Sequence, residues 1–312
     1  MNKELFLKEM QEHEFREVQA GDWKLFEAYY RDMNDYWVSP MSFTNMIAWR
    51  PSFQIFYKRV DDYLLCMVWD NRSDNRFLMV PLLGRYEQRA VMKVMAEVKS
   101  FFQKMGVPLI IESVSEWMLP YYQNLPDFDW QVENDRDLCD YLYQAKDFET
   151  SMDREKTRYY YRYFIRKFQP ETVELSSEYV GECIELCERA FCGTHTCEDC
   201  GFGCLKDTIR SVLQDFHLLN AKGILVRKGE KAIAYCIVSR LKGLGMYQFK
   251  KTERGYQGIN EYLHKECYDR FLQGVDVINY MEDMGLEGLR KYKSRLAPYT
   301  LFPRYRLELK PQ

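Results

Sequence analysis

The feature that most constrains the fold is an order of elements that occurs twice along the chain. In each half, apolar periodicity predicts two helices, an antiparallel meander of three strands, a helix and a further strand. The predicted meanders span 53–57, 63–69 and 77–81 in the first half, and 223–226, 232–239 and 245–249 in the second. The halves share no residue motif, so only the pattern repeats. We therefore expect an α+β fold in which helices pack on a mixed, mainly antiparallel sheet, twice over.

The length of 312 residues also favours two domains. The predicted boundaries are residues 1–147 for an N-terminal domain, 148–170 for a linking helix and 171–312 for a C-terminal domain. The formal net charge of −3 excludes a globally basic nucleic-acid binder, so any such surface must be local. No run reaches the roughly 18 apolar residues that span a bilayer, and Met1–Met10 lacks the apolar core of a signal peptide. We expect a cytoplasmic protein.

The linking segment carries six basic residues and one acid between Arg154 and Lys167. Arg158, Arg162 and Arg166 recur at every fourth position, which places them on one face of a helix with aromatic residues on the other. Such a row can track a phosphate backbone while the aromatic face anchors the helix. The alternative is a solvated amphipathic helix that bridges two domains.

Ten cysteines without a secretion signal indicate reduced thiols rather than disulfides. Six of them fall between Cys183 and Cys204, with His195 among them, and Cys197-Glu-Asp-Cys200 has the spacing of a metal knuckle. A second well-spaced ligand pair is missing, so no metal is assigned. A Cys-rich loop beside a helix with core cysteines explains the same pattern.

Two short segments of the second half combine glycines, carboxylates and cations at predicted strand-to-helix junctions. One is Gly255-Tyr256-Gln257-Gly258-Ile259-Asn260, and the other runs from Glu282 to Lys293. A helix N-terminus offers unpaired N–H groups and the positive end of a dipole, so these junctions can attract a carboxylate, a phosphate or an oxyanion. We expect the two junctions to line one pocket.

Each junction residue also has a simpler explanation. The glycines can serve a tight turn, and Asp283 can be the N-cap of the last helix. The pyrophosphate signature Gln/Arg-x-x-Gly-x-Gly/Ala of general acetyltransferases (GNAT) is broken in both registers. Starting from Arg254 puts Gln257 at the glycine position, and starting from Gly255 ends on Asn260.

These motifs, together with Ser42-Phe43-Thr44-Asn45 and Asp140-Tyr141-Leu142-Tyr143, resemble those of bacterial proteins grouped with the C-terminal domain of phosphatidylglycerol lysyltransferase. The resemblance covers nearly the whole chain. It implies tandem GNAT-like domains, related to the Fem-type transferases that use aminoacyl-tRNA. The chain departs from the family in the linking helix, where Tyr159 to Tyr163 replace a Lys/Arg-Asn pair. It also lacks the membrane-spanning half of the lysyltransferase, so a lipid acceptor is not implied.

The resulting hypothesis is aminoacyl transfer from a tRNA donor to an amine or hydroxyl acceptor, either a small molecule or a peptide. Glu282 or Asp283 would bind the donor's α-ammonium or accept a proton. Lys293 and Arg290 would stabilise an oxyanion or the terminal phosphate. The substrate would contact Gly255, Tyr256, Gln257, Gly258 and Asn260. The acceptor stem of the tRNA would be bound by Arg158, Arg162 and Arg166. The alternatives are a CoA-dependent N-acyltransferase and a non-catalytic binding protein.

Overall fold

A computed structural model describes residues 3–71, 76–192 and 203–311. The chain divides into two compact units, residues 1–139 with 302–312 and residues 140–301. The predicted boundaries differ from this division. The C-terminal strand pairs within the first sheet instead of the second, and the strand at 140–144 pairs within the second sheet. The basic helix belongs to the second unit.

The first unit is a seven-stranded sheet flanked by helices. Its helices are α1 (Lys3–Glu12), α2 (Trp23–Asp32), α3 (Phe43–Ala48), α4 (Gln88–Met105) and α5 (Leu119–Gln123). Its strands are β1 (Arg16–Glu17), β2 (Phe53–Val60), β3 (Tyr63–Asp70), β4 (Arg76–Met79), β5 (Ile110–Ser115), β6 (Trp130–Asn134) and the C-terminal β14 (Arg304–Leu309). The strand order is β1-β2-β3-β4-β5-β14-β6.

The second unit has the same layered construction. Its helices are α6 (Ala145–Met152), α7 (Glu155–Phe168), α8 (Val180–Cys187), α9 (Leu205–Gln214), α10 (Ile259–Cys267) and α11 (Glu287–Arg295). Its strands are β7 (Asp140–Gln144), β8 (Glu171–Glu174), β9 (Lys222–Lys228), β10 (Lys231–Leu241), β11 (Leu244–Thr252), β12 (Val277–Asn279) and β13 (Thr300–Phe302). The strand order is β13-β7-β12-β11-β10-β9-β8.

The predicted repeat is confirmed by the pairing of the strands. In the first unit β2, β3 and β4 form an antiparallel meander, and β5 then pairs in parallel with β4. In the second unit β9, β10 and β11 form the meander, and β12 pairs in parallel with β11. A helix, α4 or α10, connects the parallel strands because such strands need a crossover. The α+β prediction with mixed sheets and flanking helices is therefore correct.

An aromatic-rich core fixes the helices of the second unit on its sheet. Phe164 of α7 is fully buried and lies 4.9 Å, ring centre to ring centre, from Tyr262 of α10. Phe148 of α6 packs against Tyr247 of β11 at 5.8 Å. The apolar side of α7 is thereby anchored on α10.

No helix within the described ranges combines the length and the apolar character needed to cross a membrane.

Candidate functional site

The two central strands of the second sheet run together for three residues and then separate. The parallel register of β11 and β12 extends from Leu244↔Val277 to Met246↔Asn279, whereas β11 continues to Thr252. Within the described chain, β11 has no further pairing on its β12 side beyond Met246. The sheet is therefore open at the carboxyl ends of these strands, which is a common place for a ligand to bind.

A β-bulge aims a lysine from β11 at the helix that follows it. The register between β11 and β10 shifts and leaves Gln248 as an extra residue of β11. In a regular strand, residues 247 and 250 would face opposite sides of the sheet. Because of the bulge, both reach His264 of α10. The Tyr247 hydroxyl donates to the His264 carbonyl at 2.9 Å, and Lys250 Nζ lies 3.5 Å from His264 Nε2. Bulges often re-aim a side chain beside a site.

The lysine and histidine join two tyrosines in one hydrogen-bonded group. Lys250 Nζ donates to the Tyr280 hydroxyl at 2.9 Å and lies 3.4 Å from the Tyr292 hydroxyl. His264 Nε2 is 2.9 Å from the Tyr292 hydroxyl and also hydrogen-bonds the Tyr280 hydroxyl. These four residues are termed the Lys250 cluster. His264 and Tyr280 are buried, whereas Lys250 and Tyr292 are half-buried.

Burial sets the protonation of this cluster. It lowers the pKa of the Lys250 ammonium from 10.5 to about 8, because removal from water disfavours a charge. Burial and then the Lys250 ammonium hold the pKa of His264 well below its usual 6.5. His264 is therefore neutral near pH 7, and Lys250 can exchange a proton in the physiological range.

A second polar group in this unit surrounds Asp283, which is 0% exposed. Its Oδ2 accepts from Arg290 Nε at 3.0 Å and from the Tyr141 hydroxyl at 2.6 Å. Its Oδ1 accepts from Arg290 Nη2 at 3.1 Å and from the Gly285 N–H at 2.9 Å. The forked ion pair with Arg290 has the geometry that gives strong charge-assisted bonds. The N-cap alternative is wrong because α11 begins at Glu287, four residues later.

Lys293 is a second cation near Asp283, and Asp283, Arg290 and Lys293 are together termed the buried ion network. Only 3% of Lys293 is exposed. Its Nζ donates to the carbonyl oxygens of Tyr280, at 2.7 Å, Met281, at 3.1 Å, and Glu282. Burial lowers the pKa of Lys293 to about 8. An ammonium has three N–H donors, so a direct bond to an oxyanion would require one of these three to break. The Glu282 side chain is half-buried.

The glycine junction between β11 and α10 packs against the basic helix. Gly258 adopts φ +93, and a Cβ there would overlap the Tyr160 carbonyl oxygen and lie 3.0 Å from Phe164 Cβ. The Tyr256 ring lies 5.0 Å from the Phe168 ring. At Gly255, also at positive φ, nothing lies within 4 Å of an added Cβ. Gly258 therefore permits the close approach of α7.

The other two residues of this junction are more accessible. Gln257 is exposed, and Asn260 is half-buried in the first turn of α10. A ligand-binding role for Gly255, Tyr256, Gln257, Gly258 and Asn260 stays a prediction.

The arginine row lies on the outer side of α7. Arg158, Arg162 and Arg166 are exposed, and none of the three forms an ion pair with a carboxylate in the part of the chain that the structure describes. Tyr159, 55% exposed, stacks on Tyr163 at 6.2 Å beside this row. Contact of the row with RNA stays a prediction.

The cysteine-rich segment is described only in part. Cys183 and Cys187 are buried in α8, and the Cys187 thiol is 3.0 Å from the Tyr235 hydroxyl. His195, Cys197 and Cys200 lie outside the described residues. No group of three metal-ligand side chains occurs among the residues that the structure describes.

Sequence reasoning did not find the Lys250 cluster. Lys250 lies just beyond the strand predicted at 245–249, and strict alternation would have placed it opposite Tyr247. His264 lies on the buried side of α10 with Leu263 and Cys267. A histidine on an otherwise apolar helix face is the one signal that could have indicated a polar group there.

Solved structures share this fold. A conserved protein of unknown function from Bacteroides thetaiotaomicron is 21% identical, with a TM-score of 0.82 over 95% of this chain and 99% of that one. L-PGS from Bacillus licheniformis is 13% identical, with a TM-score of 0.64 over 93% and 92%. FemX is 8% identical, with a TM-score of 0.66 over 94% and 96%. The two units are therefore tandem GNAT-like domains of the type that Fem proteins share.

Residues 33–308 match the family described as "Phosphatidylglycerol lysyltransferase, C-terminal". The chain belongs to this family, as the sequence resemblance indicated. A search of curated proteins gave no significant match.

Proposed function

We propose that the chain is an acyltransferase whose second unit moves an aminoacyl group from a tRNA donor to an amine or hydroxyl acceptor. The family and the fold neighbours support acyl or aminoacyl transfer. The open end of the sheet between β11 and β12 provides the place for the reacting groups. Neither the amino acid nor the acceptor follows from these features.

The observation that carries the choice of donor is the outer face of α7. Three exposed arginines, one turn apart and free of carboxylate partners in the described ranges, form a row of positive charge. Arginine binds phosphates through a planar set of N–H donors, and neutralised phosphates supply most of the affinity in non-specific RNA binding. The opposite side of α7 is fixed on α10, so the row is rigidly attached to the unit with the opening.

The junction between β11 and α10 argues against the CoA alternative. In the sequence, the pyrophosphate signature is broken at this loop. In the structure, α7 packs directly on Gly258, and the Ile259 N–H already donates to the Tyr256 carbonyl at 3.1 Å. These contacts leave less of the loop for a pyrophosphate.

Within this proposal, the residues of the β12–α11 junction bind the aminoacylated end of the tRNA donor. Arg290, 36% exposed and oriented by Asp283, offers its guanidinium to the terminal phosphate. Glu282 faces the α-ammonium of the aminoacyl group. Lys293 adds positive potential at the acyl group while its N–H groups hold the backbone of residues 280–282.

The experiment compares tRNA binding by the wild type and by the triple variant Arg158→Glu/Arg162→Glu/Arg166→Glu over a range of salt concentrations. We expect the variant to lose measurable salt-dependent binding, because each lost phosphate contact reduces the magnitude of the negative slope of log K against log salt by about 0.7–0.9. The control Arg85→Glu/Arg89→Glu/Lys104→Glu makes the same change in net charge at exposed positions of the first unit and should bind as the wild type does. Unchanged binding by the α7 variant contradicts the donor assignment. A thermal shift with acetyl-CoA and none with tRNA would favour the CoA alternative.

A further inference from the structure

The Lys250 cluster has the chemistry of a proton-transfer site, which Asp283 and Lys293 of the β12–α11 junction do not supply. Asp283 is occupied by Arg290, Tyr141 and Gly285, and the Lys293 ammonium donates to backbone carbonyls. Acyl transfer to an amine or hydroxyl needs a group that removes a proton from the nucleophile. Lys250 is placed at the opening between β11 and β12 by the bulge at Gln248.

We propose that Lys250 is the general base and general acid of the transfer reaction, held in position by Tyr280, His264 and Tyr292. This inference rests on the function proposed above. It concerns a residue that lies at the open end of the sheet and is half-buried rather than fully buried.

The reaction proceeds without any additional reactant. The acceptor N–H or O–H gives its proton to the neutral Lys250 Nζ as the acceptor atom forms a bond to the acyl carbon. The ester C–O bond to the donor then breaks, and the departing ester oxygen takes the proton from the Lys250 ammonium. Lys250 ends the cycle in its starting form.

The partners of Lys250 suit this exchange because each can accept or donate a hydrogen bond. A tyrosine hydroxyl rotates to accept from an ammonium or to donate to a neutral amine, and a neutral imidazole has one donor and one acceptor nitrogen. Tyr280 and Tyr292 both contact Lys250 and His264. The cluster can therefore keep its hydrogen bonds in both protonation states of Lys250.

The charged and titratable groups around Lys250 shift its pKa in opposite directions. Burial is the largest influence and lowers the pKa to about 8, and the like charge of Lys293 lowers it as well. The neighbouring carboxylate of Glu261 raises it. The groups that face Lys250 from β10, α10, the end of β12 and α11 are Cys236, Glu261, His264, Cys267, Tyr280, Tyr292 and Lys293. A pKa of about 8 leaves a usable fraction of neutral amine near pH 7.

The first test measures the reactivity of the lysine in the wild-type protein. The probe is a trace amount of acetic anhydride at pH values from 6 to 11, with the acetylated peptides quantified by mass spectrometry and exposed Lys291 as the internal reference. We expect Lys250 to reach half-maximal labelling near pH 8 and to exceed Lys291 in labelling at that pH. Labelling of Lys250 equal to or below that of Lys291 at pH 8 overturns the inference, whatever the protein transfers.

The second test compares transfer rates with tRNA binding. Lys250→Arg keeps a positive charge but cannot lose its proton, and Lys250→Met removes the charge. We expect both to slow transfer by about 10²–10⁴-fold while tRNA binding stays within twofold of wild type. A wild-type rate in Lys250→Arg would show that the reaction needs only a positive charge at this position. That result would overturn the inference and leave the proposed function intact. Absence of both transfer and tRNA binding in the wild-type protein would overturn the proposed function and, with it, the inference.

Discussion

The Lys250 cluster and the buried ion network each contain a lysine whose pKa is lowered to about 8, yet the partners of the two lysines differ in kind. Lys293 donates to three backbone carbonyls, which can only accept. Lys250 contacts two hydroxyls and an imidazole, which can accept or donate. The first set can bond only to the N–H groups of Lys293, whereas the second can also donate to a neutral amine. The ligands of a buried lysine therefore indicate its role better than its pKa does.

The largest predicted effect tests the structural role of the buried ion network. Asp283→Ala leaves the Arg290 guanidinium and the Tyr141 hydroxyl without their shared carboxylate. Breaking a buried ion pair from one side costs about 3–5 kcal/mol. Because Arg290 is partly exposed, we expect a loss of about 3 kcal/mol in the free energy of unfolding, measured by urea denaturation.

The matched control for Asp283 is Glu287→Ala, which removes an exposed ion pair with Lys291 at the start of α11. Exposed pairs of this kind contribute about 0.3–0.5 kcal/mol. Similar losses for the two variants would show that Asp283 is not required for the structure and would return it to consideration as a reacting group.

A smaller effect is expected at the glycine junction between β11 and α10, the two elements that carry Lys250 and His264. Gly258→Ala and Gly255→Ala both place a β-carbon on a residue at positive φ, which costs about 1–2 kcal/mol. Only Gly258→Ala also forces α7 away from α10, because its Cβ meets the Tyr160 backbone. We expect about 1 kcal/mol more destabilisation for Gly258→Ala, measured by urea denaturation.

Gly255 is thus the control for backbone strain. Equal destabilisation of the two variants would indicate that α7 can shift at no cost. The attachment of the arginine row to the second unit would then be looser than the packing of Phe164 on Tyr262 suggests.

The smallest predicted effect is a pH dependence of stability. Lys293 has a pKa of 10.5 when unfolded and about 8 when folded. Between these values the unfolded chain binds more protons, so this lysine makes the protein more stable as pH rises from about 8 to about 10.5. We expect the free energy of unfolding of the wild type, relative to Lys293→Met, to rise by about 1–2 kcal/mol between about pH 8 and about pH 9.5, the lower part of this window.

The other titratable groups are present in both the wild type and Lys293→Met, so their contributions cancel in the difference between the two free energies of unfolding. Lys291→Met, on the exposed side of α11, should show no comparable pH-dependent difference from the wild type. If the difference in free energy of unfolding between the wild type and Lys293→Met also did not change with pH, water would have to reach the Lys293 ammonium. The contrast between the environments of Lys293 and Lys250 would then be wrong.

Much of the fold could be predicted because it depends on local patterns. The order of helices and strands in each half follows from apolar periodicity, and the basic face of α7 follows from arginines spaced four residues apart. The path of the C-terminal strand could not be predicted. A strand such as β14 carries no mark of the sheet it will join, and its pairing with β5 and β6 is a long-range contact.

The candidate site was predicted only in part for a related reason. Glu282, Asp283, Arg290 and Lys293 are close in sequence, so a motif could identify the segment. The motif could not show that the Asp283 carboxylate and the Lys293 ammonium bond to partners within the protein. Three members of the Lys250 cluster come from separate elements, β11, α10 and α11, and Tyr280 follows the end of β12.

The sequence by itself determined the repeated α+β order, the family, and the charge on α7, because each depends on residue types at short, regular spacings. The tertiary structure alone decided which lysine donates to backbone carbonyls and which one contacts hydroxyls and an imidazole. A single extra residue at Gln248 reverses the side of the sheet to which Lys250 points, and burial against Tyr280 and His264 then lowers the cost of losing its charge. Neither event leaves a periodic trace in the sequence, since both depend on contacts between distant segments.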